Sequence, residues 1–123
     1  MLWTVDPERD EPLFAQIAAQ VRDAVASGEL RTGDRLPPAR VLSTSLDVNL
    51  HTVLRAYQDL RDEGLLDLRR GRGAVIAEHA DYAALAAPVA ALVDAARRAG
   101  VSATAATALL QAAFARPTTT EGR

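Results

Sequence analysis

The chain has no cysteine and no lysine among its 123 residues. Without cysteine, neither a disulfide framework nor a thiolate metal site exists. The missing lysine leaves arginine as the only permanent cation. A GC-rich genome accounts for that more simply than selection for phosphate binding, although arginine makes the better bidentate phosphate contact. No apolar run is long enough to span a bilayer, and the start carries no signal-peptide pattern. A soluble, cytoplasmic protein with no membrane partner is therefore expected. Enzyme chemistry is missing too. His51 and His79 are isolated, no paired-histidine metal spacing occurs, and no glycine-rich loop stands between a strand and a helix in the phosphate-cradling order. Ser43, Thr44, Ser45 and His51 are close in sequence, but hydroxyls on a helix are ordinarily solvated. No catalytic residue, metal ligand or cofactor is expected, and the chain reads as a non-enzyme.

What is present is one domain's length plus a short appendage, enough for a modest core. The net charge of -2 argues against nucleic acid on its face, but the distribution matters more than the sum. Between positions 35 and 72 stand Arg35, Arg40, Arg55, Arg61, Arg69, Arg70 and Arg72 against Asp47, Asp59, Asp62, Glu63 and Asp67. Most of those acids fall late in a helix or inside a strand, where they can face away from the arginines. Binding to a polyanion through so small an excess should weaken readily with salt.

The segment from Arg35 to Ala77 organises the rest. Pro37 and Pro38 suit a helix start, because proline pre-sets φ and the first helical amides have no intrahelical partner. A helix is expected over Ala39–Leu46, with Val41, Leu42 and Leu46 on a face that can bury. Asp47-Val48-Asn49 is a turn whose Asn49 caps a second helix running from Leu50 to Glu63. Val53, Ala56, Tyr57 and Leu60 form its core face, while His51, Thr52 and Arg55 fall elsewhere, on or near its first turn. Short polar groups and a cation at an exposed helix start suit a DNA major groove; a solvated helix face is the plain alternative. Gly64 stops the helix. Leu65–Leu68 and Ala74–Ala77 then form a hairpin around Arg69, Arg70, Gly71, Arg72 and Gly73. Three arginines at one hairpin tip repel one another unless an anion lies there, and a phosphate backbone or minor groove is the economical partner. Helix, turn, helix and hairpin in that order make a winged helix-turn-helix.

At these positions the sequence resembles the DNA-binding domain of the GntR family of bacterial transcription regulators. The resemblance rests on Gly28-Glu29-Leu30, Gly33-Asp34-Arg35-Leu36-Pro37, Val48-Asn49, Thr52-Val53, Arg55-Ala56-Tyr57, Leu60, Glu63-Gly64-Leu65 and Arg70-Gly71-Arg72-Gly73. It covers about the first two-thirds of the chain, nearly without gaps. The Arg-Ala-Tyr triplet is similar to the YtrA and MocR branches, and the length fits YtrA, which carries a short two-helix dimerisation tail where MocR relatives add an aminotransferase-like domain. The family pattern Leu-Pro-Ser-x-Arg implies that Arg40 reaches the DNA backbone or a base edge; here proline replaces the serine, which removes a hydroxyl contact but keeps the arginine in register. The resemblance implies a DNA operator as partner, a homodimer, and a repressor adjoining a transport operon. Leu50 departs from the common pattern and is left open between a thymine-methyl contact and no readout; Leu54 is read as packing on the hairpin. The DNA-binding set is thus Arg35, Arg40, Asn49, Leu50, His51, Thr52, Arg55, Arg70, Gly71 and Arg72.

The remaining segments frame this one. Met1–Asp10 reads as an extended or partly disordered lead with Trp3 and Val5 as anchors. Asp10-Glu11-Pro12 reads as a helix start, followed by an amphipathic helix with Leu13, Ile17, Val21 and Val25 in register and an end before Gly28. Beyond Glu78 the composition turns to alanine. One helix is expected from Asp81 or from the Ala87-Pro88 step to Arg98, with Pro88 either opening or kinking it. A second is expected over Ala103–Ala115 with Ser102 as N-cap. Leu85, Val89, Leu92, Val93, Leu109, Leu110 and Phe114 cannot all be buried within two such helices, so pairing with a second copy is expected. A small effector could lodge between these helices and the DNA-binding domain, though no polar cluster marks one. The expected fold is mainly α with a small β-hairpin: a winged helix-turn-helix domain over 1–78, a helical dimerisation tail over 79–116 and a frayed end over 117–123. A winged-helix protein-interaction module without specific DNA binding is the alternative, which has no need of Arg69, Arg70 and Arg72 together.

Overall fold

A computed structural model describes residues 1–71 and 73–117. Arg72 and the greater part of the expected frayed end, 118–123, lie outside the described residues. In chain order the elements are α1 (Leu13–Ser27), α2 (Ala39–Leu46), α3 (Leu50–Asp62), β1 (Leu66–Arg69), β2 (Gly73–Ile76), a 3-10 turn (Tyr82–Leu85), α4 (Ala86–Ala99) and α5 (Ala103–Ala115). They fall into two units, Met1–Ala86 and Ala87–Arg123.

The first unit is held by one apolar core. Ile17 and Val21 of α1, Leu42 of α2, Val53 and Leu60 of α3, and Leu65, Leu66 and Ile76 of the hairpin region are all buried. These are the positions that helical and strand spacing put on inward faces. Val41 is a correction: it is 54% exposed. Successive residues on a helix are 100° apart, and α2 turns Leu42 and Ser43 inward, which carries Val41 to the outside. At its end Asp47 adopts φ 56 and ψ 49, while Val48 N–H reaches back to the Ser43 carbonyl at 3.0 Å, a left-handed helix stop made without glycine. At the end of α3 it is Gly64 that turns left-handed, with φ 88, and Leu65 N–H donates to the Leu60 carbonyl at 2.9 Å. An L side chain rarely adopts that conformation.

Of the two expectations for the lead, extended or partly disordered, the extended one fits residues 1–6, and α1 is capped at Pro12 instead of Asp10. Pro12 stands at the cap position with no side-chain cap. Two glutamines of α1 hold the lead. Gln16 accepts from Asp6 N–H at 2.8 Å and donates Nε2 to the carbonyls of Asp6 at 2.9 Å and Glu11 at 2.8 Å. Gln20 accepts from Thr4 N–H at 3.0 Å and donates back to the Thr4 carbonyl at 2.5 Å. Gln16 is 3% exposed, so the bonds satisfy a buried amide that would otherwise cost free energy. Trp3 and Val5 pack against the core as expected.

The first unit also extends past residue 78, to Ala86. Glu63 at the C-cap of α3 explains why. It receives a two-pronged contact from Arg22, Nε to Oε1 at 3.0 Å and Nη2 to Oε1 at 2.7 Å, and a hydrogen bond from the Tyr82 hydroxyl at 2.6 Å. Asp81 caps the 3-10 turn, accepting from Ala84 N–H at 3.2 Å. The turn is thereby fastened to α1 and α3, and Leu85 belongs to it rather than to the tail helices.

The second unit is made of α4 and α5. Pro88 lies in the first turn of α4, two residues after its start at Ala86, where proline is tolerated because the first helical amides have no intrahelical partner. Gly100 ends α4, with Val101 N–H donating to the Ala96 carbonyl at 2.8 Å. Ser102 caps α5 by accepting from Ala105 N–H at 3.1 Å. Neither helix has a buried residue, and none of the described helices is long and apolar enough to cross a membrane.

Candidate nucleic-acid interface

α3 is built to keep one face outward. Asn49 fixes its first turn, with Oδ1 accepting from His51 N–H at 2.8 Å. That cap occupies one lone pair of Oδ1 and leaves the Asn49 amide NH2 free to donate. With Val53, Ala56, Tyr57 and Leu60 turned into the core, the 3.6-residue repeat sends positions 51, 55 and 58 to the opposite side. His51, Arg55 and Gln58 are all exposed there. Thr52 and Leu50 are half-buried at the flanks. Gln58 was missed by sequence reasoning, although it stands three residues from Arg55 on the same line.

The buried Tyr57 hydroxyl donates to the Pro37 carbonyl at 2.6 Å, tying α3 to the start of α2. Burial pushes its ionisation above the ordinary tyrosine range. α2 then presents Arg40, exposed, whose carbonyl accepts from Ser43 Oγ at 2.9 Å and Thr44 Oγ1 at 3.0 Å.

The wing is a two-stranded antiparallel hairpin with Leu66 opposite Ile76 and Arg69 opposite Gly73. Arg35 forms a bridge to Val75, and Leu36 N–H donates to the Ala74 carbonyl at 2.9 Å. Arg35 thus lies along the wing, with its side chain exposed. Arg70 and Gly71 occupy the tip, and Gly71 has φ 82. Leu54 is half-buried and lines one groove with Ala39, Gln58, Leu68 and Arg70. That placement of Leu54 beside the hairpin is the one expected.

Charge pairing separates the arginines into two groups. Arg22, Arg61 and Arg69 sit against Glu63, Asp62 and Asp67 at 2.7, 3.2 and 3.4 Å. Arg31, Arg35, Arg40, Arg55 and Arg70 have no carboxylate partner among the described residues. Asp67 corrects one expectation: it faces Arg69 instead of turning from it, because residues two apart on a strand share a face. Arg55 is held differently, its guanidinium carbon 3.8 Å over the centre of the Phe14 ring.

The Arg22–Glu63–Tyr82 cluster was not legible beforehand. Burial pushes the Glu63 carboxyl up, but the hydrogen bonds from Arg22 and Tyr82 outweigh it and hold Glu63 below the ordinary carboxylate range. Tyr82 is pushed up to about 12 by burial and by its bond to Glu63. These groups brace the domain and take no part in the exposed α3 line.

Residues 13–76 match the family described as bacterial regulatory proteins, gntR family. The chain is 38% identical over 76 residues to the HTH-type transcriptional repressor YtrA of Bacillus subtilis, a match spanning 62% of this chain and 58% of that protein's length. Among solved structures it is similar to YtrA of Sulfolobus acidocaldarius, a GntR-family transcription factor, at TM-score 0.57 and 34% identity over 73% of this chain and 95% of that one. It is also similar to the DNA-binding domain of AraR in complex with operator ORX1, at TM-score 0.55 and 25% identity over 62% of this chain and 96% of that one.

Proposed function

The chain belongs to the gntR family of bacterial regulatory proteins, and on that premise we propose that it is a transcription repressor that binds an inverted-repeat DNA operator as a homodimer in the cytoplasm. The first turns of α3 enter the major groove, with His51, Thr52 and Arg55 toward the bases and Arg40 on the backbone. Arg35 and the wing tip at Arg70 and Gly71 lie at the flanking minor groove. α4 and α5 supply the contact between copies through Val89, Leu92, Val93, Leu109, Leu110 and Phe114. Dyad symmetry then sets half-sites about one helical turn apart. The likeness to YtrA points to a transport operon as the regulated target.

The observation that supports the reading is that Arg40 at the start of α2, Arg55 on the outer line of α3, and Arg35 and Arg70 of the wing region are all exposed and lack a carboxylate among the described residues; Arg69 on the wing strand is paired with Asp67, and Arg31 is unpaired as well. Such exposed, unpaired guanidinium groups are free to meet a phosphate or the edge of a guanine. The AraR operator complex supports this use of a related fold.

A gel shift with the region upstream of its own gene tests the proposal. Retardation that weakens with salt is expected, and Arg40→Ala should reduce affinity and lower the salt slope by about 1. Failure to bind any genomic fragment at low ionic strength overturns it in favour of a protein-interaction module.

A further inference from the structure

Arg55 stands in the second turn of α3, on the exposed line that begins with His51. It makes neither an ion pair nor a side-chain hydrogen bond among the described residues, yet it is not loose, because its guanidinium carbon lies 3.8 Å over the Phe14 ring of α1. Stacking on an aromatic face uses the cation's charge and none of its N–H donors. A free arginine side chain gives up about 2 kcal/mol of rotamer freedom when a ligand fixes it; here part of that ordering precedes any ligand.

We propose that Phe14 is a positioning residue for readout: it holds the Arg55 guanidinium so that its fork meets the O6 and N7 edge of a guanine. The inference rests on the DNA-binding reading and deepens it. Guanine is the base whose major-groove edge offers two acceptors to such a fork, and the line of α3 that carries Arg55 is the one turned away from the core. Phe14 itself is half-buried and packs against that core, so a purely structural role is the competing explanation, and the two differ in what they predict.

The test uses the full chain and two probes: the duplex that wild-type protein enriches from a randomised pool, and poly(dA-dT), whose major groove offers no O6 and N7 acceptor pair. Phe14→Leu should weaken the enriched duplex about five- to tenfold, the size of a partly desolvated cation–π contact. It should leave the poly(dA-dT) affinity and the salt slope unchanged, and Phe14→Tyr should restore binding. In an Arg55→Ala background, Phe14→Leu should have no further effect on the enriched duplex. Equal losses on both probes, or an undiminished loss in the Arg55→Ala background, would mean that Phe14 merely supports the fold or that Arg55 meets a phosphate, and either result overturns the proposal. A wild-type protein that enriches no duplex overturns the DNA-binding reading and this inference with it, whereas enrichment with an indifferent Phe14→Leu overturns this inference alone.

Discussion

The two units of the chain solve the problem of burial differently. The first closes its own core: Ile17, Leu42, Val53 and Leu60, from three helices, are buried together with strand residues Leu66 and Ile76. The second leaves its large side chains in the open, with Val89 at 53%, Leu109 at 66% and Phe114 at 83% exposure. Full burial of one such side chain stabilises by roughly 1.5–3 kcal/mol. The first unit has realised that gain within one copy, and the second has not. Composition explains the contrast: α4 and α5 are rich in alanine, so neither helix offers the other enough bulk to fill an interior.

The largest expected effect tests the closed side of this contrast. Leu60→Ala removes a side chain with no exposure and should cost about 2–5 kcal/mol in chemical denaturation of the first unit. Next comes the cap of α3. Asn49→Ala should cost about 1 kcal/mol by the same measurement, because the Asn49 Oδ1 bond to His51 N–H is lost; any change in sequence preference would come on top of that loss. Tyr82→Phe is a smaller change and depends on pH. Since the folded state raises Tyr82 to about 12, its stabilisation is complete below its ordinary ionisation near 10 and is lost as pH rises from there toward 12. Urea melts between pH 9 and 11 should therefore show wild type ahead of Tyr82→Phe at the lower end and the gap narrowing upward, with buried Tyr57 contributing equally to both. The smallest effect on folding, under about 0.5 kcal/mol, is expected for Leu92→Glu in the exposed tail. Sedimentation velocity should nevertheless show this variant shifted toward single copies, and an unchanged association state would break the contrast.

What could be read from the sequence was what is local. Asn49, Gly64 and Ser102 act on amides within a few residues of themselves, so their capping roles follow from residue type and position alone. The inward faces of α1 and α3 followed from helical spacing, and the hairpin from glycines between two apolar runs. Partners distant in sequence did not follow. Arg22 and Glu63 are 41 residues apart, and Arg55 meets Phe14 across two helices; periodicity says which way a side chain points but not what waits there. Gln16 and Gln20 look like ordinary polar positions on an amphipathic helix until the lead chain lies beside them. Val41 was misplaced because α2 has only 8 residues, too few for its repeat to distinguish neighbours on the wheel.

In the proposed assembly two copies, joined through α4 and α5, present paired α3 helices and wings to one duplex. Footprinting and sedimentation of the protein on the enriched duplex address it together. Two chains per duplex are expected, with a protected dyad whose half-sites lie about one helical turn apart. One chain per duplex, or protection without symmetry, would contradict it.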